Sequence, residues 1–161
     1  MNKYNEAMKL LDKRFGNGKD NGVSLATIGH DPNVDGKPRP AVRNVDGYYE
    51  DGAFYVVTYT KSNKMDQIEA NPAVAVAIHF EWFFASGIGE NLGWVRDGKN
   101  AEMMKKVRAA FAQWYGNGHV NEEDPNTCLL CVRLTEGSIL DEENANGEVR
   151  YHIDFVNKTA Q

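Results

Sequence analysis

The chain has 161 residues, 42% hydrophobic and 25% charged. At the roughly 150 residues typical of a domain this is a single domain, 1–161, with apolar residues enough for an ordinary core and too many for wholesale disorder. Lys and Arg number 18 against 23 Asp and Glu, a net charge of −5, which removes the broad basic surface that non-specific nucleic-acid or anionic-membrane binding needs, so neither partner is expected and any anion site must be local.

In chain order, residues 2 to 15 place Tyr4, Met8, Leu11 and Phe15 on one helical stripe, and Gly16-Asn17-Gly18 stops the helix. Lys3, Glu6, Lys9 and Asp12 interrupt its apolar residues, so it does not read as a signal peptide, and a cytoplasmic location is expected. Val23 to Ile28 reads as a strand, followed by a turn-rich loop from His30 to Gly36 and a second strand from Arg39 to Val45. Asp46-Gly47 and Asp51-Gly52 both carry hairpin chemistry, leaving Tyr48-Tyr49-Glu50 between them as a short pairing or a bulge. Ala53 to Thr58 is the third strand.

A two-turn helix is predicted over Asn63 to Ala70, capped by Ser62 or Asn63 and ended by Asn71-Pro72. Ala73 to Phe80 alternates large apolar residues with Ala and His, as a buried strand does. Under half the ~20 residues of a membrane-spanning helix, it is too short to be one. Residues 85 to 95 form a glycine-interrupted strand, and Asn100 to Tyr115 the longest helix, burying Met103, Val107, Phe111 or Ala110, and Trp114. Strands from Thr127 to Leu140 and Glu148 to Phe155 complete the chain. Hairpin-length connections and no repeated βα unit point to a mainly β (α+β) fold, a six- to seven-stranded antiparallel split barrel over about 22–155 with short peripheral helices.

Most chemical motifs give way on inspection. Gly87-Ile88-Gly89-Glu90-Asn91-Leu92-Gly93 superficially matches a dinucleotide loop, but its spacing is off by one and no helix follows, so it reads as a strand with bulges. Cys128 and Cys131 lie on one predicted strand, pointing to opposite faces about 10 Å apart, and are read as reduced core residues. His30, His79, His119 and His152 lack metal-ligand spacing.

The segment that stands out runs from Phe54 to Met65, where a strand enters a hydroxyl-rich, basic helix start. Thr60 and Ser62 hydroxyls, open backbone N–H groups and Lys64 could converge there on a dianion. Lys61 and Lys64 also suit a solvated helix start. Arg43, mid-strand between Val42 and Val45, either points outward or reaches that helix start to bind the same anion.

Pro40-Ala41-Val42-Arg43-Asn44-Val45, Tyr55-Val56-Val57-Thr58, Lys61 to Ile68 and Asn71 to Val76 resemble, in order and spacing, the pyridoxamine-5'-phosphate-oxidase-like split-barrel flavoproteins, and within them the small general-stress and nitroimidazole-resistance branch. The resemblance covers residues 22 to 96 well and the last two strands loosely. It implies an FMN-binding oxidoreductase passing electrons between a nicotinamide donor and a small-molecule acceptor. Arg43, Ser62 and Lys64 would hold the FMN phosphate, and the Val57 and Thr58 backbone would lie along the isoalloxazine edge. Asn63 stands where many relatives carry a basic residue, so its contact would be weaker or made by backbone alone. The resemblance also implies a homodimer with FMN at the two-fold interface. There Trp82 or Trp94 would cover the ring, and Ala73 to Phe80 with Trp82 to Phe84 would form the contact surface. The carboxy-terminal arginines of true vitamin B6 oxidases are not visible after Leu140. No acid, base or other catalytic side chain is assigned, and a flavin- or haem-binding sensor without turnover is the alternative.

Overall fold

The computed structural model describes residues 2–161. Its elements are α1 (Lys3–Phe15), β1 (Asn21–Ile28), β2 (Pro40–Glu50), β3 (Ala53–Tyr59), α2 (Asn63–Ala70), β4 (Ala73–Ile78), β5 (Phe83–Trp94), a single 3-10 turn (Gly98–Asn100), α3 (Ala101–Ala110), β6 (Thr127–Asp141), β7 (Val149–Asp154) and β8 (Thr159–Ala160). Every pairing is antiparallel, in the order β3-β2-β1-β4-β5-β6, and β3 pairs again with β6 to close a six-stranded barrel. β7 and β8 extend the sheet beyond β6. Among the described residues no helix is long and apolar enough to cross a membrane.

Period-two alternation sends Val23, Leu25, Phe54, Val56, Val74, Val76, Cys128, Leu130 and Val132 into the barrel. α1 closes one end with Ala7, Leu10, Leu11 and Phe15, whose ring lies 5.0 Å from that of Phe83. Burying a side chain of this size stabilises the fold by roughly 1.5–3 kcal/mol. A second core forms outside the barrel, where Met104, Val107 and Phe111 pack against Tyr48, Val95 and Leu129. Both cysteines are free and buried, Cys128 among the barrel residues and Cys131 on the other face of β6.

Several boundaries differ from expectation for identifiable reasons. Asp46-Gly47 is not a turn: β2 runs through it, pairing with β1 as far as Gly47 and with β3 from Tyr48. Gly47 is required by packing, because a Cβ there would lie 2.9 Å from Val23 Cγ2 and 3.1 Å from Phe54 Cδ1. The hairpin is made by Asp51 and Gly52, both left-handed at φ 46° and 77°. The Gly87 region is a strand, as read, with a bulge after Ser86, and a Cβ on Gly87 would sit 2.6 Å from the Arg133 carbonyl. α3 stops at Ala110; Met104 is fully buried and Met103 and Trp114 pack partly buried against the same core, while in the turns that follow Trp114 Nε1 donates to Asp20 at 2.8 Å and the Tyr115 hydroxyl to Glu122 at 2.6 Å. β4 ends at Ile78, and the turn after it holds Phe80 and Trp82 at φ 60° and 49°. β8 is two residues long, too short to carry a periodic signal.

Asp20 also shares a hydrogen bond with Asp46, whose carboxyl is pushed up from 3.8 to about 6 by burial and then by the bond to Asp20 and its charge. Between those values the folded chain binds more protons than the unfolded one, so this pair's contribution to stability is full below about pH 4 and is lost as pH rises through 6. Asp46→Asn removes that titration. Urea midpoints measured from pH 4 to 7 should fall less with rising pH in the variant than in wild type, and parallel curves would show that the pair does not titrate there.

Candidate functional site

Strand ends β1, β2 and β3 meet the start of α2 at the end of the barrel opposite α1. The helix forms because Ser62 is extended at its N-cap (φ −74°, ψ 157°) and Met65 and Ile68 face the core, and it stops where the Asn71 N–H bonds the Gln67 carbonyl ahead of Pro72. Its first turn leaves the backbone N–H groups of Asn63, Lys64 and Met65 without intrahelical partners. Ser62 would ordinarily cap one of them, yet its side chain makes no cap bond, and among the described residues its Oγ is the one buried side-chain polar atom without a hydrogen bond.

Arg43 lies opposite Leu25 in the β1–β2 register, so it shares the inward face near the barrel mouth. Its Nη1 donates to Thr27 Oγ1 at 2.6 Å and to the Leu25 carbonyl at 3.3 Å, and its Nη2 donates to Gln67 Oε1 at 2.9 Å. Lys64 Nζ donates to Thr58 Oγ1 at 2.7 Å. Burial lowers the proton affinity of Arg43, and burial followed by the Arg43 charge lowers that of Lys64. Among the described residues neither cation has a carboxylate in ion-pair reach. Two half-buried, adjacent positive charges without a counter-charge are unfavourable as they stand, and an anion against both would remove that penalty.

The residues expected from the sequence separate into two groups. Arg43, Thr58, Ser62 and Lys64 come together at the mouth. Asn63 is exposed at the first position of the helix, available through its backbone. Val57 faces the other way, toward the α3 core, and with Thr58 and Tyr59 it lines a cleft of about 270 Å³ closed by His119, Val120, Asn121, Asp124 and Thr127. Trp94 is half-buried in that same core and donates to the Glu122 carbonyl at 2.8 Å, so it is a packing residue of its own chain. Trp82 is 56% exposed at the opposite end of the barrel.

Thr27, Gln67 and the His119 loop were not expected. Gln67 is one turn beyond Lys64 on α2, and Thr27 continues the inward alternation of Val23 and Leu25, so spacing could have found both. Nothing in the pattern pointed to His119.

An unsatisfied buried hydroxyl costs about 1–3 kcal/mol. Ser62→Ala should therefore raise the stability of the ligand-free protein by about 1 kcal/mol while weakening any phosphate ligand, read as urea midpoints with and without ligand. Destabilisation of the ligand-free protein would mean that the hydroxyl is already used by the fold.

No protein-family model and no curated protein matches the sequence. Solved structures do match its fold. An FMN-binding protein related to pyridoxamine 5'-phosphate oxidase from Nostoc punctiforme is 19% identical, with a TM-score of 0.55, across 100% of this chain and 95% of that one. General stress protein 26 of Bacillus anthracis is 19% identical, with a TM-score of 0.57, across 82% and 89%. An FAD-binding protein of Mesorhizobium loti is 15% identical, with a TM-score of 0.53, across 80% and 90%. The chain thus has the fold of the pyridoxamine 5'-phosphate oxidase-related split barrels.

Proposed function

We propose that this chain binds FMN and acts as an oxidoreductase between a nicotinamide donor and a small-molecule acceptor. The observation that carries the reading is the orphaned Ser62 Oγ at the start of a helix that also holds Lys64, with the uncompensated Arg43 bonded to Gln67 of the same helix. A phosphate monoester matches that donor set: Ser62 donates a neutral hydrogen bond, Arg43 and Lys64 supply charge, and the open N–H groups of α2 complete the cradle. FMN, when bound, supplies the hydride and electron chemistry. The chain's own part is to hold the phosphate with Arg43, Ser62 and Lys64 and to lay the Val57–Thr58 backbone along the ring. The FMN- and FAD-binding proteins that share the fold support a flavin over other phosphate monoesters.

The assembly that completes the ring pocket is, in this reading, a homodimer. The outer faces of β1, β2, β4 and β5 carry Val42, Phe84 and Ile88 at 71%, 56% and 45% exposure, and registered pairs place Ala26 and Ala75 between them. An apolar sheet face of this kind, which α1, α2 and α3 leave open, is suited to a second copy.

Three measurements test these readings. Arg43→Ala and Lys64→Ala should each weaken FMN by about 1.5–3 kcal/mol, tenfold to more than a hundredfold, and leave riboflavin nearly unchanged. Equal losses for both flavins would assign these residues to the fold. Sedimentation at falling protein concentration should show FMN tightening a dimer, and a monomer holding FMN equally well would exclude a shared pocket. Bleaching of bound flavin by a nicotinamide would separate an oxidoreductase from a flavin-binding protein without turnover.

A further inference from the structure

We propose that Thr27 and Gln67 are positioning residues that clamp one edge of the Arg43 guanidinium and so present its other edge, ready for two oxygens of a phosphate monoester. The inference rests on the phosphate reading of this site and adds to it the device that sets the direction of the arginine.

Guanidinium carries five N–H donors arranged in forks. Leu25 and Thr27 take both hydrogens of Nη1, at 3.3 and 2.6 Å, and Gln67 Oε1 takes one from Nη2 at 2.9 Å. Thr27 Oγ1 in turn donates to Gln67 Oε1 at 2.5 Å, so the hydroxyl and the amide oxygen lie side by side across the Nη1–Nη2 edge. What remains are Nε–H and the second hydrogen of Nη2. These point the same way and form the fork that grips an oxyanion bidentately.

The clamp has a reason to exist. Lys64 lies close enough for the Arg43 charge to act on it, and an untethered arginine would swing away from that like charge. Thr27 is 1% exposed and cannot follow it into solvent. Gln67 sits one turn into the helix whose first residues include Lys64, so it fixes the separation between the arginine fork and the open N–H groups of that helix.

The test is a double-mutant cycle on flavin affinity. Gln67→Met keeps length and helix propensity but removes the acceptor. It should weaken FMN about tenfold while changing riboflavin less than about twofold. Thr27→Val should do the same, and Thr27→Ser should restore wild-type binding. In an Arg43→Ala background the Gln67→Met loss should vanish, because there is no fork left to aim. An unchanged loss in that background, or an equal loss for riboflavin, overturns the clamp. If Arg43→Ala discriminates between the flavins and Gln67→Met does not, the clamp falls and the phosphate reading stands. If wild type binds riboflavin as tightly as FMN, both fall.

Discussion

Closure of the barrel depends on the pairing of β3 with β6, from Ala53 opposite Arg133 to Tyr59 opposite Thr127. That pairing places the end of β3 on one side of the barrel mouth, while the next strand, β4, belongs between β1 and β5. The chain must therefore cross the mouth, and the segment that crosses is α2, about 12 Å long at 1.5 Å per residue. A helix laid across an open barrel end puts its first turn beside whatever the neighbouring strands send inward there. β2 sends Arg43, β1 sends Thr27 and β3 sends Thr58. The site is thus a product of topology before it is a product of any one motif.

The electrostatics of the mouth run against ordinary folding preference. Several cations elsewhere have carboxylate partners: Arg108 and Arg96 converge on Glu122, Lys106 on Glu50, and Arg133 on Glu90. At the mouth Arg43 and Lys64 have only neutral oxygens. What sets this pair apart is that both cations are partly buried and next to each other, so that each charge raises the cost of the other.

What could be read from the sequence follows the physics of each feature. α1 and α2 were legible because their apolar residues recur at helical spacing and glycine or Asn-Pro ends them. Arg43 was legible because a charge in mid-strand demands a partner. Asp46-Gly47 misled because glycine serves close packing as well as turning, and the two uses are chemically identical in one dimension. The bonds from Trp114 to Asp20 and from Tyr115 to Glu122, beyond the end of α3, were hidden for a related reason, since they join residues whose proximity only the fold creates. Gln67, one turn beyond Lys64, and Thr27, on the inward alternation of β1, stand at positions that spacing could have marked, but their bonds to Arg43 emerge only from distances.

The turn between β4 and β5 has a mechanical consequence. Phe80 and Trp82 both occupy left-handed backbone, where a bulky side chain costs roughly 1–2 kcal/mol per residue. The turn is held by the Glu81 N–H bonded to the Ile78 carbonyl at 3.2 Å, by the Leu140 N–H bonded to the Trp82 carbonyl at 3.3 Å, and by Arg14 of α1, which donates to the Glu81 carbonyl at 3.1 Å and lies 3.9 Å from Asp141. The amino-terminal helix is therefore a tether as well as a plug: besides filling one barrel end, it is bonded to the turn that presents two aromatic rings to solvent.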